Sequence, residues 1–144
     1  MMRECRWVWA CGLLFLGLLA GCRREPERPP GTGAKEVVQS YYEALSHKDW
    51  PKAYSTLHPS SRSRLSADQF ARLAQSYRSS LGFEPEAVHV RAWDEQGAEA
   101  TVHVVLTGQA KAKGHRYKDA IRLQRSDEGW GVILPQNFGR ATGR

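Results

Sequence analysis

From Val88 to Leu134 the chain changes polarity at nearly every second residue, and that period leaves few folds open. Val88, Val90 and Ala92 alternate with His89 and Arg91, and Ala100, Val102, Val104 and Leu106 alternate with Thr101, His103 and Val105. A period of two sends successive side chains to opposite faces of a strand, one for a core and one for water. Glu95-Gln96-Gly97 suits a three-residue hairpin with glycine at the left-handed position. Further turns fall at residues 111–114 and at Ser126-Asp127-Glu128-Gly129. Matching apolar to apolar sets Val88 opposite Val104 and Val90 opposite Val102. The second turn then sets Val104 opposite Ile121 and Val102 opposite Leu123. The third sets Leu123 opposite Val132 and Ile121 opposite Leu134. Three turns agree on one buried face, which predicts a four-stranded antiparallel meander.

Such a meander needs a second layer to bury its apolar face. The residues before it change period to supply one. Val37, Val38, Tyr41, Tyr42 and Leu45 recur at helical spacing, which predicts a helix over 34–47. Asp49 is placed to cap a second, short helix from Trp50, with Pro51 tolerated in its first turn and Pro59 beyond its end. Residues 60–64 are polar and form a loop or a single turn. Ser66-Ala67-Asp68-Gln69 reads as a capping box. It opens a helix with Phe70, Leu73, Tyr77 and Leu81 on one stripe, ended by Gly82. The expected class is therefore α+β, three N-terminal helices packed on a curved four-stranded antiparallel meander.

Ahead of the domain stands a different kind of sequence. Arg3 and Arg6 precede an apolar run over residues 7–20, too short and too closely followed by charge for a membrane span, which takes about 20 apolar residues. The run closes on Leu18-Leu19-Ala20-Gly21-Cys22. This pentapeptide resembles the lipobox of bacterial lipoproteins. The resemblance implies that residues 1–21 are a signal peptide and that Cys22 becomes a lipidated N-terminus. Several acyl chains on one residue hold firmly, since each buried methylene adds about 0.8 kcal/mol. Cys5 and Cys11 leave with the leader, so Cys22 is the one cysteine of the mature chain, which excludes an internal disulfide or a zinc cluster of cysteines. Arg23, where an Asp would favour inner-membrane retention, leans the expected location toward the periplasmic face of the outer membrane. Residues 22–33, rich in Pro, Gly and Arg, read as the lipidated cysteine and a disordered tether, with 34–138 as the domain and 139–144 as a disordered tail.

The helices and meander, opened by Tyr41-Tyr42-Glu43-Ala44-Leu45 and Asp49-Trp50-x-x-Ala53-Tyr54 and closed by Gly129-Trp130-Gly131-Val132, resemble the nuclear-transport-factor-2-like superfamily. That resemblance implies a cone-shaped domain over about residues 34–138, with a pocket at its open end. Some of its members are ketosteroid-isomerase-like or dehydratase enzymes and many small lipoproteins have no known activity, so fold alone does not give function.

Chemistry has to be sought residue by residue. The inward face of the third strand reads Tyr117, Asp119, Ile121 and Leu123, with Asp119 opposite Leu106. Asp119 is a carboxylate on an apolar face and a candidate base, with Tyr117 and Tyr54 or Tyr77 as hydroxyl donors. The bland alternative puts Asp119 at the rim, solvated or salt-bridged, or turned outward by a bulge. His89 and His103 come opposite each other on the outer face, an incomplete zinc site better read as a solvated pair, so no metal and no cofactor are expected. Trp50 and Trp130 read as core or pocket lining, and Trp93 as core or an exposed contact. Of the net charge of +6 the leader carries +1 (Arg3, Glu4, Arg6), leaving a mildly basic domain without a nucleic-acid module.

Three functions remain. One is a membrane-anchored lipoprotein whose non-catalytic pocket meets an envelope protein or a small hydrophobic ligand. A second is a small isomerase- or lyase-like enzyme using Asp119 and Tyr117. The third is a structural envelope protein contacting wall polymer or anionic lipid. The outer sheet face has few apolar residues, so a monomer or weak dimer is expected.

Overall fold

The structure is a computed structural model that describes residues 31–140; the expected leader, Cys22, most of the tether and residues 141–144 lie outside the described residues. Helices α1 (Ala34–Ser46), α2 (Trp50–Ser55), α3 (Pro59–Arg62) and α4 (Ala67–Ser80) precede strands β1 (Glu84–Gln96), β2 (Glu99–Ala110), β3 (Lys113–Ser126) and β4 (Gly129–Ile133). The strands form one open antiparallel sheet in the order β1-β2-β3-β4. Among the described residues there are four helices where three were expected, because the polar stretch after His58 winds into one turn, α3. The class is α+β, with helices on one side of an unclosed, cone-like sheet.

Local chemistry fixes the helix ends. Asp49 caps α2 by accepting the Lys52 N–H at 3.1 Å. Ser66 and Gln69 cap α4 reciprocally: the Ser66 hydroxyl accepts the Gln69 N–H at 3.3 Å and the Gln69 side chain accepts the Ser66 N–H at 3.0 Å. Gly82 follows α4 at φ 73°, a conformation that costs glycine little.

The sheet keeps its predicted faces on β2 and β3 and along the first part of β1, but changes its register, and the turn-side end of β1 changes face. Val88 pairs with Leu106 and Val90 with Val104, two residues from the expected match, and Trp93, not Val90, faces Val102. Two causes combine. The β1–β2 turn uses two residues, since Gln96 pairs with Glu99, and bulges between Pro85 and Ala87 and between Val90 and Ala92 each absorb one residue. After the second bulge the parity of β1 flips, which turns Trp93 toward the core and Ala92 away from it. The next turn is also tighter than expected, with Ala110 paired to Lys113 across Lys111 and Ala112 at φ 50° and 62°. Val102 therefore faces Ile121, and Asp119 faces Val104 instead of Leu106. That two-residue slip preserves every face. The last hairpin matches its reading, Leu123 opposite Val132, whereas Leu134 lies beyond β4 and has no sheet partner.

The core lies between α1, α4 and the inner sheet face. Val38, Tyr41, Tyr42 and Leu45 of α1 and Phe70 and Ala74 of α4 meet Val102, Val104 and Leu106 of β2. Each such large apolar side chain contributes about 1.5–3 kcal/mol on full burial. The segment between α2 and α3 is tied to β4: the His58 N–H donates to the Val132 carbonyl at 2.9 Å and the Val132 N–H to the Thr56 carbonyl at 3.0 Å. A Cβ on Gly131 would stand 2.5 Å from the His58 Cα, so this close approach admits only glycine.

Both ends of the described chain pack onto the domain. Thr32, expected in the tether, donates from its N–H and its hydroxyl to Glu95, while the Trp130 indole N–H donates to the Thr32 hydroxyl at 2.8 Å. At the other end Gly139 lies against the Leu73 carbonyl, where a Cβ would come within 2.2 Å.

Candidate functional site: a tyrosine-lined cavity around Asp119

Strand β4 has five residues and β3 fourteen, so β4 covers only the far end of β3, where Arg122 to Ser126 pair with it. Past Ile133 the chain leaves the sheet, and the space under the uncovered part of β3 is a cavity of about 420 Å³. Its walls come from α1 (Tyr41, Tyr42), α4 (Tyr77) and β3 (Tyr117, Asp119, Ile121), with Phe138 closing one side. Phe138 is held there by stacking on Tyr77 and Phe70, with ring centroids 5.2 and 5.8 Å apart.

Asp119 is half-buried at the wall and has its carboxylate gripped from three directions. The Tyr42 hydroxyl donates to Oδ2 at 2.7 Å and the Tyr77 hydroxyl to the same oxygen at 3.0 Å. The Ala120 N–H donates to Oδ1 at 2.8 Å. All three donors are neutral. Among the described residues the ion pairs are Arg62–Glu128, Arg78–Glu84 and Arg122–Glu99, so Asp119 has no cationic partner there.

The four tyrosines all hold their protons more tightly than free tyrosine. Burial is the largest cause for each, and the negative charge of Asp119 adds to it. For Tyr42 the neighbouring Tyr77 ranks between those two causes. The phenols of Tyr42 and Tyr77 are fixed donors to Asp119. The Tyr41 hydroxyl is buried without a hydrogen-bond partner among the described residues.

The structure thus brings Asp119 together with Tyr77, as the sequence suggested, and with Tyr42, which the sequence reading left in the core. Tyr117 stands at the rim, 37% exposed, and meets the Tyr77 ring edge-on at 6.4 Å. It makes no hydrogen bond to Asp119. Tyr54 is elsewhere, its hydroxyl donating to the Leu65 carbonyl at 2.9 Å. The signal for Tyr42 was present: a tyrosine in a buried helical stripe carries a hydroxyl that must find a partner.

Other candidates disperse. His89 faces Val105 and His103 faces Ala92 and Ala120, because the shorter β1–β2 turn, partly offset by the bulge, moved β1 past the expected alignment; the two histidines are not opposite each other. Among the described residues no three His, Cys, Asp or Glu side chains come together as a metal site. Trp50 and Trp130 pack against the core without lining the cavity.

Several solved structures share this architecture. A protein from Campylobacter jejuni, provisionally named a nuclear-transport-factor-2-like transpeptidase, superposes with a TM-score of 0.57 at 11% identity, over 69% of this chain and 96% of its own. The fold is nuclear-transport-factor-2-like. A SEC-C motif containing protein from Rhodopseudomonas palustris matches with a TM-score of 0.52 at 16% identity, over 68% of this chain and 73% of its own. A second SEC-C motif containing protein, from Psychrobacter arcticus, gives 0.57 at 11% identity over 77% of this chain and 64% of its own. At such identities the likeness is one of fold. No protein-family profile and no curated protein matches the sequence.

Proposed function

We propose that this chain is a lipid-anchored envelope protein, held through Cys22 at the periplasmic face of the outer membrane, whose nuclear-transport-factor-2-like domain binds a small ligand in the Asp119 cavity without transforming it. The observation that carries the binding reading is the three-donor grip on Asp119. A half-buried carboxylate fixed at the wall of a 420 Å³ cavity is a preorganised contact for something that enters. An isomerase- or lyase-like reaction would draw on the same residues. Here both carboxylate oxygens are already engaged and the phenols keep their protons, so the set is better formed to hold a ligand than to move a proton. The anchor reading rests on Leu18-Leu19-Ala20-Gly21-Cys22.

Each half has its own test. Metabolic labelling with palmitate and partition into a detergent phase should both be lost in Cys22→Ser; unchanged labelling and partition would refute the anchor. For the cavity, a fragment set is screened by ligand-observed NMR against the full chain and against Ser80→Trp. Ser80 is an exposed residue of the cavity lining, so the indole blocks the cavity without entering the core. Fragments that bind the parent should be excluded by the variant. Equal binding to both would place the site elsewhere.

A further inference from the structure

We propose that the ligand of this cavity is a small organic cation, an ammonium group on an apolar body, seated against Asp119 among the tyrosine rings; the inference rests on the cavity being a binding site. A carboxylate withdrawn from water is ordinarily balanced by a cation, through an ion pair or a metal. Among the described residues Asp119 has no ion-pair partner and belongs to no cluster of metal-ligating side chains. Its three hydrogen bonds come from neutral groups, which orient the charge without cancelling it. The surrounding surface adds to the negative character. Five aromatic rings, Tyr41, Tyr42, Tyr77, Tyr117 and Phe138, border the cavity, and an aromatic face is the negative end of the ring quadrupole. The field of Asp119 is felt throughout, since it helps to hold all four phenols in their protonated form.

Two cations do border the space. Arg122 lies on the other face of β3, 72% exposed and 3.8 Å from Glu99, so its charge is directed outward. Arg140 is exposed at the end of the described chain. Both are screened by water, whereas Asp119 stands half inside. A simple metal ion is a poorer occupant, because it would need several hard ligands and would find one carboxylate already holding three donors. An alkylammonium suits the wall better: its charge meets Asp119 and its methyl or methylene groups pack on the rings.

The test compares three probes of similar size by isothermal titration calorimetry on the full chain in maltoside micelles at low salt. They are choline, its uncharged carbon isostere 3,3-dimethyl-1-butanol, and 3,3-dimethylbutyrate. Choline should bind about tenfold or more tighter than the isostere, with the carboxylate weakest, a preference of the size that one desolvated cation–aromatic set and one carboxylate supply. In Asp119→Asn, checked for folding by circular dichroism, choline and the isostere should bind alike. Tyr117→Leu, at the rim where a fold defect is not expected, should weaken choline severalfold and serves if the Asn variant does not fold. Equal binding of choline and isostere by the parent, or tighter binding of the carboxylate, would overturn the cation class while leaving the cavity as a site. Failure of all three to bind would refute the inference, and, together with fragments that fail in the screen above, the binding reading beneath it.

Discussion

Replacing Tyr42 by Phe removes one hydroxyl and nothing else, and its cost measures how firmly Asp119 is held. The bond is 2.7 Å long, its donor residue is 1% exposed and its acceptor is a carboxylate, so it belongs with charge-assisted hydrogen bonds, worth about 1.5–3 kcal/mol. Asp119 is only half-buried, so water screens part of this, and about 1.5 kcal/mol is expected. Tyr77→Phe breaks a 3.0 Å bond to the same oxygen and should cost about 1 kcal/mol. The double variant leaves Oδ2 with no donor from the domain, and should cost more than the sum of the singles by about 0.5–1 kcal/mol. Asp119→Leu inverts the situation, leaving the buried Tyr42 phenol and the partly buried Tyr77 phenol without an acceptor, for about 2–4 kcal/mol in total. Adding Asp119→Leu to the double Phe variant should recover much of the loss, because apolar groups replace all three partners at once. Urea unfolding of the set at pH 7 reads these differences as midpoint shifts, since a domain of this size loses about 1–3 kcal/mol per molar urea. Strictly additive single variants together with a neutral Asp119→Leu would mean that Asp119 is a solvated rim residue, and the description of the site would fall.

Three further outcomes follow from the same geometry. Alkali should unfold the domain: the phenols of Tyr41 and Tyr42 have folded pKa values above their ordinary 10.0, so their stabilising contribution is complete below pH 10 and is lost as pH rises through the folded values. Each should add a slope of about 1.4 kcal/mol per pH unit above pH 10, read from urea midpoints at pH 8, 10 and 11, and the absence of that slope in the parent relative to Tyr41→Phe/Tyr42→Phe would refute it. Gly131→Ala should destabilise by about 1–3 kcal/mol or rearrange the β4 junction, because the new methyl meets the His58 backbone at 2.5–2.7 Å; an unshifted melting temperature would show that the junction is looser than described. Sedimentation of the detergent-solubilised chain should give a monomer or a weak dimer, since the outer sheet face carries His89, Arg91, His103, Lys118 and Arg122 and would repel its own copy; a tight dimer would contradict this.

Most of the fold was legible because its signals are local. The Ser66–Gln69 capping box and Gly82 bound α4, Asp49 and Pro51 opened α2, and the alternation through β1–β3 separated the sheet faces, each within a few residues of sequence. Register was not local. The turn at Lys111-Ala112 has no glycine in its two left-handed positions, and Gly114 drew the reading to a wider loop. The two-residue β1–β2 turn and the bulge at Arg91 leave no mark in composition, yet together they parted His89 from His103 and turned Trp93 inward.

The sequence by itself determined that Asp119 faces inward on β3, because a slip of two residues leaves parity intact. It also determined that Tyr42 and Tyr77 lie on the buried stripes of their helices, because a helix side chain's face follows from its spacing. Only the tertiary structure decided that those two hydroxyls converge on one carboxylate oxygen and that Tyr117, the nearer residue in sequence, does not. The angle at which α1 and α4 cross β3, and the early end of β4 that opens the cavity beside Asp119, depend on packing among residues far apart in the chain. No spacing within one segment encodes a meeting of Tyr42 and Asp119, 77 residues apart.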